Sequence, residues 1–139
     1  MGKTSASKKI KSHLRTKGRR KTKPTKARVL YWHKLINEAV FDGELKTPEV
    51  TIKGMKNDLG QCIVNHVVDS KTERRVDPLD DGSVTIIISN AKMDRETLIS
   101  TVAHEAVHQW QWETSKEGNH AEKFKEWVNW FYENYNIKL

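Results

Sequence analysis

The sequence predicts an α+β domain in which a helix, three short strands and two further helices follow one another along the chain. Three observations carry that reading. Apolar residues recur at helical spacing in Leu35, Ile36, Ala39 and Val40, again from Leu98 to Val107, and again in Ala121, Phe124, Trp127, Val128 and Phe131. Between the first two of these stretches stand short β-rich runs separated by polar turn residues. The middle helical stretch also carries two histidines four residues apart, with a glutamate directly after the first.

Before any of these elements comes a leader of extreme composition. Residues 1–28 hold twelve lysines and arginines and no acid, whereas the rest of the 139-residue chain holds thirteen bases against eighteen acids. The leader therefore makes an otherwise mildly acidic protein basic, to a net charge of +7. A segment so charged and so poor in apolar residues is expected to be disordered alone, as a basic arm set apart from a domain spanning 29–139. Its lysines and arginines suit the phosphates of a nucleic acid, where each contact releases counterions and binding weakens with salt. Lys8, Lys9, Lys11, Arg15, Lys17, Arg19, Arg20, Lys21 and Lys23 are the residues for that role. A solvated, solubilising leader is the bland alternative. No aromatic residue in the leader suggests base stacking, and no apolar face suggests a membrane surface.

The first helix is expected from Lys26 to Phe41, ended by Asp42-Gly43. His33 on it reads as a partnered structural histidine. Three strands follow, at Val50 to Met55, Leu59 to Val68 and Val84 to Ser89. Lys56-Asn57-Asp58 reads as a tight turn, so the first two strands are expected to pair as a hairpin. The third, if it is an edge, would offer an extended polypeptide a strand to pair with. Cys62 and His66 share one face of the second strand, and both read as structural residues.

Asp94 is the expected N-cap of the next helix, with Glu96 favourable in its first turn. On that helix His104 and His108 stand one above the other, because residues four apart share a face. They can give two imidazole nitrogens to one metal ion. Glu105 lies roughly 100° further round, close enough to act on a metal-activated water without being a ligand. Ile99, Val102, Ala103, Ala106, Val107 and Trp110 fill the opposite, core-facing arc.

A catalytic zinc takes three protein ligands and keeps one position open. Thr114, six residues after His108, rules out a third histidine at that spacing. The next is His120, placed in the first turn of a last helix by the capping pattern of Asn119 and Glu122. Glu122 and Glu126 stay open as alternative ligands. Trp112 and Trp130 are either packing residues or walls of the cleft.

His-Glu-Ala-Val-His followed by Asn-His-Ala-Glu-Lys-Phe resembles the SprT-like zinc metallopeptidases, whose pattern is H-E-x-x-H and then H-G-x-x-F. Leu35-Ile-Asn-Glu-Ala-Val-Phe-Asp-Gly-Glu-Leu resembles the opening helix and its exit, and Val84-Thr-Ile-Ile-Ile-Ser the strand before the active-site helix, so the similarity covers most of Val29 to Tyr135. The resemblance implies a minimal zincin-like domain. It implies Zn²⁺ held by His104, His108 and His120, Glu105 as general base, and Phe124 as the aromatic after the third histidine. Polypeptide is the implied substrate, with proteins on DNA as a particular case, and the cytoplasm or nucleoid the implied location. Two departures stand out. Ala121 replaces the expected glycine, and the C-terminal zinc ribbon of many members is not expected, since Cys62 is the only cysteine.

One cysteine excludes an internal disulfide, no apolar run approaches the ~20 residues of a membrane span, and no apolar signal segment opens the chain. The expected protein is a non-secreted monomer. The competing reading is a nucleic-acid-binding protein whose zinc site is structural or vestigial. Structural sites usually have four ligands and favour cysteine, which argues against it. A helical interaction module carrying the motif by chance is the third reading, and the capped His120 argues against that one.

Overall fold

A computed structural model describes residues 2–15, 20–64, 84–114 and 122–139. Four helices enclose a three-stranded sheet, an α+β arrangement as expected. The helices are α1 (Gly2–Arg15), α2 (Lys26–Val40), α3 (Arg95–Thr114) and α4 (Glu122–Tyr135), and the strands β1 (Glu49–Lys53), β2 (Gly60–Val64) and β3 (Val84–Ser89).

α2 begins where Thr25, in extended backbone, accepts a hydrogen bond from the Arg28 amide at 3.2 Å. It ends where Asp42 and Gly43 turn left-handed, at φ 55° and 76°. Asn37 fixes that exit by holding both backbone groups of Leu45, at 2.9 and 3.0 Å. Of the expected stripe, Leu35, Ile36 and Ala39 are buried and Val40 is half-buried, and Val29 and Trp32 are buried beside them.

The sheet departs from the expected pairing. Its order is β1-β3-β2, with β1 parallel and β2 antiparallel to β3, so β1 and β2 do not form a hairpin. The turn residues at 56–58 are real turn formers, but β3 is the most apolar strand and takes the centre. Ile86 and Ile88 are fully buried, and Ile87 and Ser89 nearly so. β3 is therefore not an edge. Among the described residues the edges are β1 and β2, and β2 is the one that packs against α3.

The expected disorder of the leader is also corrected for its described residues. Residues 2–15 form α1, and its Ala6 and Ile10, one turn apart, are 2 % and 1 % exposed within the core. Leu14 packs beside them, while Lys8, Lys9 and Lys11 stay exposed. A narrow apolar stripe thus suffices to dock a helix whose other positions are solvated lysines. Two contacts strengthen the docking. Tyr135 Oη donates to Ser7 Oγ at 2.9 Å, and Thr22 pairs with Met93 through backbone hydrogen bonds of 3.0 and 2.9 Å. No helix among the described residues is long and apolar enough to cross a membrane.

Ile10→Ala should lower the unfolding free energy by about 2–4 kcal/mol in chemical denaturation, the usual cost of removing a buried isoleucine. An unchanged midpoint would mean that α1 does not belong to the cooperative core.

Candidate active site

α3 starts as the sequence predicts. The Thr97 amide donates to Asp94 Oδ1 at 2.8 Å, and the hydrogen bonds from Thr97 hold the Asp94 carboxyl below its ordinary range. From that cap the helix sends Leu98, Ile99, Val102, Ala103, Ala106 and Val107 into the core. Six anchored positions leave the helix little freedom to rotate, so the residues between them are fixed in direction.

Those residues are His104, Glu105 and His108. The imidazole rings of His104 and His108 lie 4.9 Å apart between centroids, the side-by-side placement expected of positions four apart. Phe124 of α4 packs against both rings, at 4.8 Å from His104 and 4.7 Å from His108, nearly parallel to the latter. This is the aromatic that the sequence pattern singles out. It forms an apolar floor that restricts how either ring can turn.

His108 has a further restraint. Its Nδ1 lies 2.9 Å from the Oε1 of Gln111, a side chain only 2 % exposed. With the amide oxygen as acceptor, Nδ1 carries the proton and Nε2 is the unprotonated nitrogen. Histidines that bind metals commonly have such a partner on the nitrogen that does not coordinate. Gln111 could have been found in the sequence, since it follows His108 by three on the same helical face.

Among the described residues no three or more His, Cys, Asp or Glu side chains gather as a metal cage. His104 and His108 supply two donors, and the expected third, His120, lies outside the described residues, as does His66. Of the alternatives, Glu126 is exposed, and the Glu122 side chain is outside the described residues. Two adjacent imidazoles with an acid beside them are donor types that fit zinc.

A family model for SprT-like proteins matches residues 29–138. The chain belongs to the SprT-like family. No curated protein and no solved structure matches it. The matched region runs from α2 through α4, and α1 precedes it.

Within this SprT-like domain, Glu105 points at β2 and is 4 % exposed. The approach is so close that a Cβ at Gly60 would stand 2.9 Å from Thr101 Cγ2 and 3.0 Å from Glu105 Oε2. A side chain at the first position of β2 would force Thr101 or Glu105 to shift, and glycine there lets the strand pass the carboxylate closely. A cavity of about 270 Å³ opens there, with Asp58, Leu59, Gly60, Thr101, His104 and Glu105 among its walls. Neither Trp112 nor Trp130 lines it. Trp130 instead joins a packed aromatic cluster with Trp127, Phe131 and Tyr135. Burial, helped by the nearby Asp58 carboxylate, pushes Glu105 up to about 8.

The other polar residues behind α3 hold it in place. His33 Nε2 meets Gln109 Oε1 at 2.7 Å, and Gln109 Nε2 donates to Lys46 O at 2.7 Å and Glu113 Oε2 at 2.6 Å. This network ties α2, α3 and the segment before β1, so His33 is structural, as expected. Burial holds His33 below its usual range, opposed by the Gln109 hydrogen bond. Burial, together with Glu105 and Glu113, pushes Cys62 up to about 12, so at neutral pH it is a packed thiol.

Of the basic residues expected to meet nucleic acid, Lys8, Lys9 and Lys11 are exposed on α1, and Arg20, Lys21 and Lys23 are exposed after it. Lys17, Arg19 and the Arg15 side chain lie outside the described residues.

The raised value of Glu105 has a signed consequence for metal-free protein. Its stabilising effect is complete below the ordinary value of 4.5 and is lost as pH rises towards 8, because the folded state then holds a proton the unfolded state has released. Chelator-treated native protein should lose stability relative to Glu105→Gln over that window, by at most about 1.4 kcal/mol per pH unit. Parallel stability profiles for the two would contradict the buried placement.

Proposed function

We propose that this SprT-like chain is a zinc-dependent peptidase with His104, His108 and His120 as zinc ligands and Glu105 as general base. The observation that carries the reading is the juxtaposition on α3. Two imidazoles lie 4.9 Å apart, and the acid between them in sequence is buried against an edge strand and opens onto a cavity. Family membership supports it.

A zinc ion bound by these residues supplies Lewis acidity, which polarises a carbonyl and makes a water nucleophilic near neutral pH. The protein's own residues do the rest. Gln111 holds the His108 ring with Nε2 unprotonated, and Phe124 restrains both rings. The Glu105 carboxylate takes the proton of the attacking water and delivers it to the leaving amine. A cation at the histidines favours the ionised carboxylate, offsetting the burial and the Asp58 charge that hold the proton on it.

The substrate platform is β2 rather than β3, since β2 is the edge beside α3. A polypeptide paired along that edge gains backbone hydrogen bonds that do not depend on sequence. The exposed side chains of Leu59 and Ile63 supply apolar contacts there. The charge of residues 1–28 supports proteins associated with nucleic acid as substrates. A purely structural zinc site would favour thiolates, and Cys62 is held as a thiol.

Glu105→Gln should retain stoichiometric zinc and lose casein hydrolysis, whereas His108→Ala should lose both. A fully active Glu105→Gln protein would remove the mechanism. Gln111→Ala should weaken zinc binding about 10–100-fold in a competition titration with a chromophoric chelator, and Gln111→Glu, which keeps an acceptor, should restore it. Equal affinity in all three proteins would show that Gln111 does not position the ligand.

A further inference from the structure

A second cavity, of about 280 Å³, lies away from α3's histidines, where α1, the start of α2 and the start of α3 meet. Among the described residues its walls are His13, Ala27, Arg28, Tyr31, Trp32 and Arg95, which include two guanidinium groups and three aromatic rings but no acid. Three of these residues precede position 29, where the family match begins, and three follow it, so the cavity lies where the leader meets the family domain.

The rings are ordered against one another. His13 meets Trp32 edge-on at 4.9 Å, and Tyr31 meets Trp32 edge-on at 5.2 Å. Trp32 is buried, but Tyr31 is 43 % exposed and presents an aromatic surface at the opening. Arg28 is steadied by a hydrogen bond from Nη1 to Thr22 Oγ1 at 2.7 Å, which pre-orders its fork. Burial, and secondarily Arg95, holds His13 below its ordinary range, which favours a neutral ring among the two cations.

We propose that this cavity binds a nucleotide of single-stranded nucleic acid, with an unpaired base stacked on Tyr31 and its phosphate held by Arg28 and Arg95. A flat π-face beside planar cations, with no acid to repel a phosphate, is the combination single-strand binders use. The exposed Lys9, Lys21 and Lys23 of the leader add positive charge for a nucleic-acid backbone. A base within a duplex is already stacked and cannot enter, so the site selects single strands. The proposal names the place where the leader's charge meets nucleic acid; it uses no residue of the cleft and does not depend on peptidase activity.

The test is fluorescence anisotropy of the full chain with a labelled oligothymidylate, the matching duplex and thymidine monophosphate as competitor. The native protein should bind the single strand at least tenfold more tightly than the duplex. Tyr31→Ala should weaken single-strand binding about tenfold while Tyr31→Phe does not. Arg28→Ala with Arg95→Ala should weaken it and flatten the salt dependence. Tyr31 is exposed, so its variants should fold, and circular dichroism checks that they do. Single-strand affinity unchanged in Tyr31→Ala, or equal affinity for the duplex, would overturn the stacking site and leave only a diffuse attraction by the leader. No binding of either nucleic acid would overturn the leader's role as well. Displacement of the bound strand by the monophosphate as readily as by unlabelled oligothymidylate would assign the cavity to free nucleotides and overturn the proposal.

Discussion

A helix can present ligands in a fixed direction only if its remaining faces are buried well enough to stop it turning. α3 meets that constraint, and the rest of the molecule is arranged to satisfy it. Leu98, Ile99, Val102, Ala103, Ala106 and Val107 enter the core, β2 covers one flank, and Phe124 of α4 covers the histidine rings themselves. Helical spacing alone puts His104 beside His108, but spacing does not aim them. The aim comes from packing, and the tautomer of His108 from Gln111.

The same packing explains the unusual state of Glu105. A carboxylate with 4 % of its surface exposed, near Asp58, loses hydration and gains like-charge repulsion, and both favour its protonated form. Such placement is unfavourable for the carboxylate, and the proposed zinc at the histidines would offset it. Gly60 allows it, since any side chain there would collide with Thr101 and Glu105. Behind the helix, the chain of hydrogen bonds from His33 through Gln109 to Lys46 and Glu113 satisfies buried polar groups that would otherwise weaken the anchor.

Much of this was legible in the sequence because it is local. The cap at Asp94, the exit of α2 at Asp42-Gly43 and the core stripe of α3 each depend on residues a few positions apart. Strand order was not legible. Lys56-Asn57-Asp58 signals a turn, but whether β1 then meets β2 or β3 depends on which strand is buried on both faces, a property of the assembled sheet. α1 was hidden for a related reason. Its lysines dominate any average over the leader, whereas docking needs little more than Ala6, Ile10 and Leu14 aligned on one face. Gly60 carried a signal only in hindsight of its neighbour, because nothing in the chain before folding says that β2 will pass Glu105. The placement of Tyr31 and Arg28 beside His13 likewise exists only once α1 has docked.

The measurement that bears most directly on the central claim is zinc-edge X-ray absorption of protein loaded with one equivalent of zinc, compared with the same experiment on His104→Ala. Three imidazole nitrogens at about 2.0–2.1 Å with one light donor are expected, falling by one imidazole in the variant. A native zinc shell with fewer than two imidazoles, or a shell unchanged by loss of His104, would contradict the assignment of α3 as the metal-holding helix.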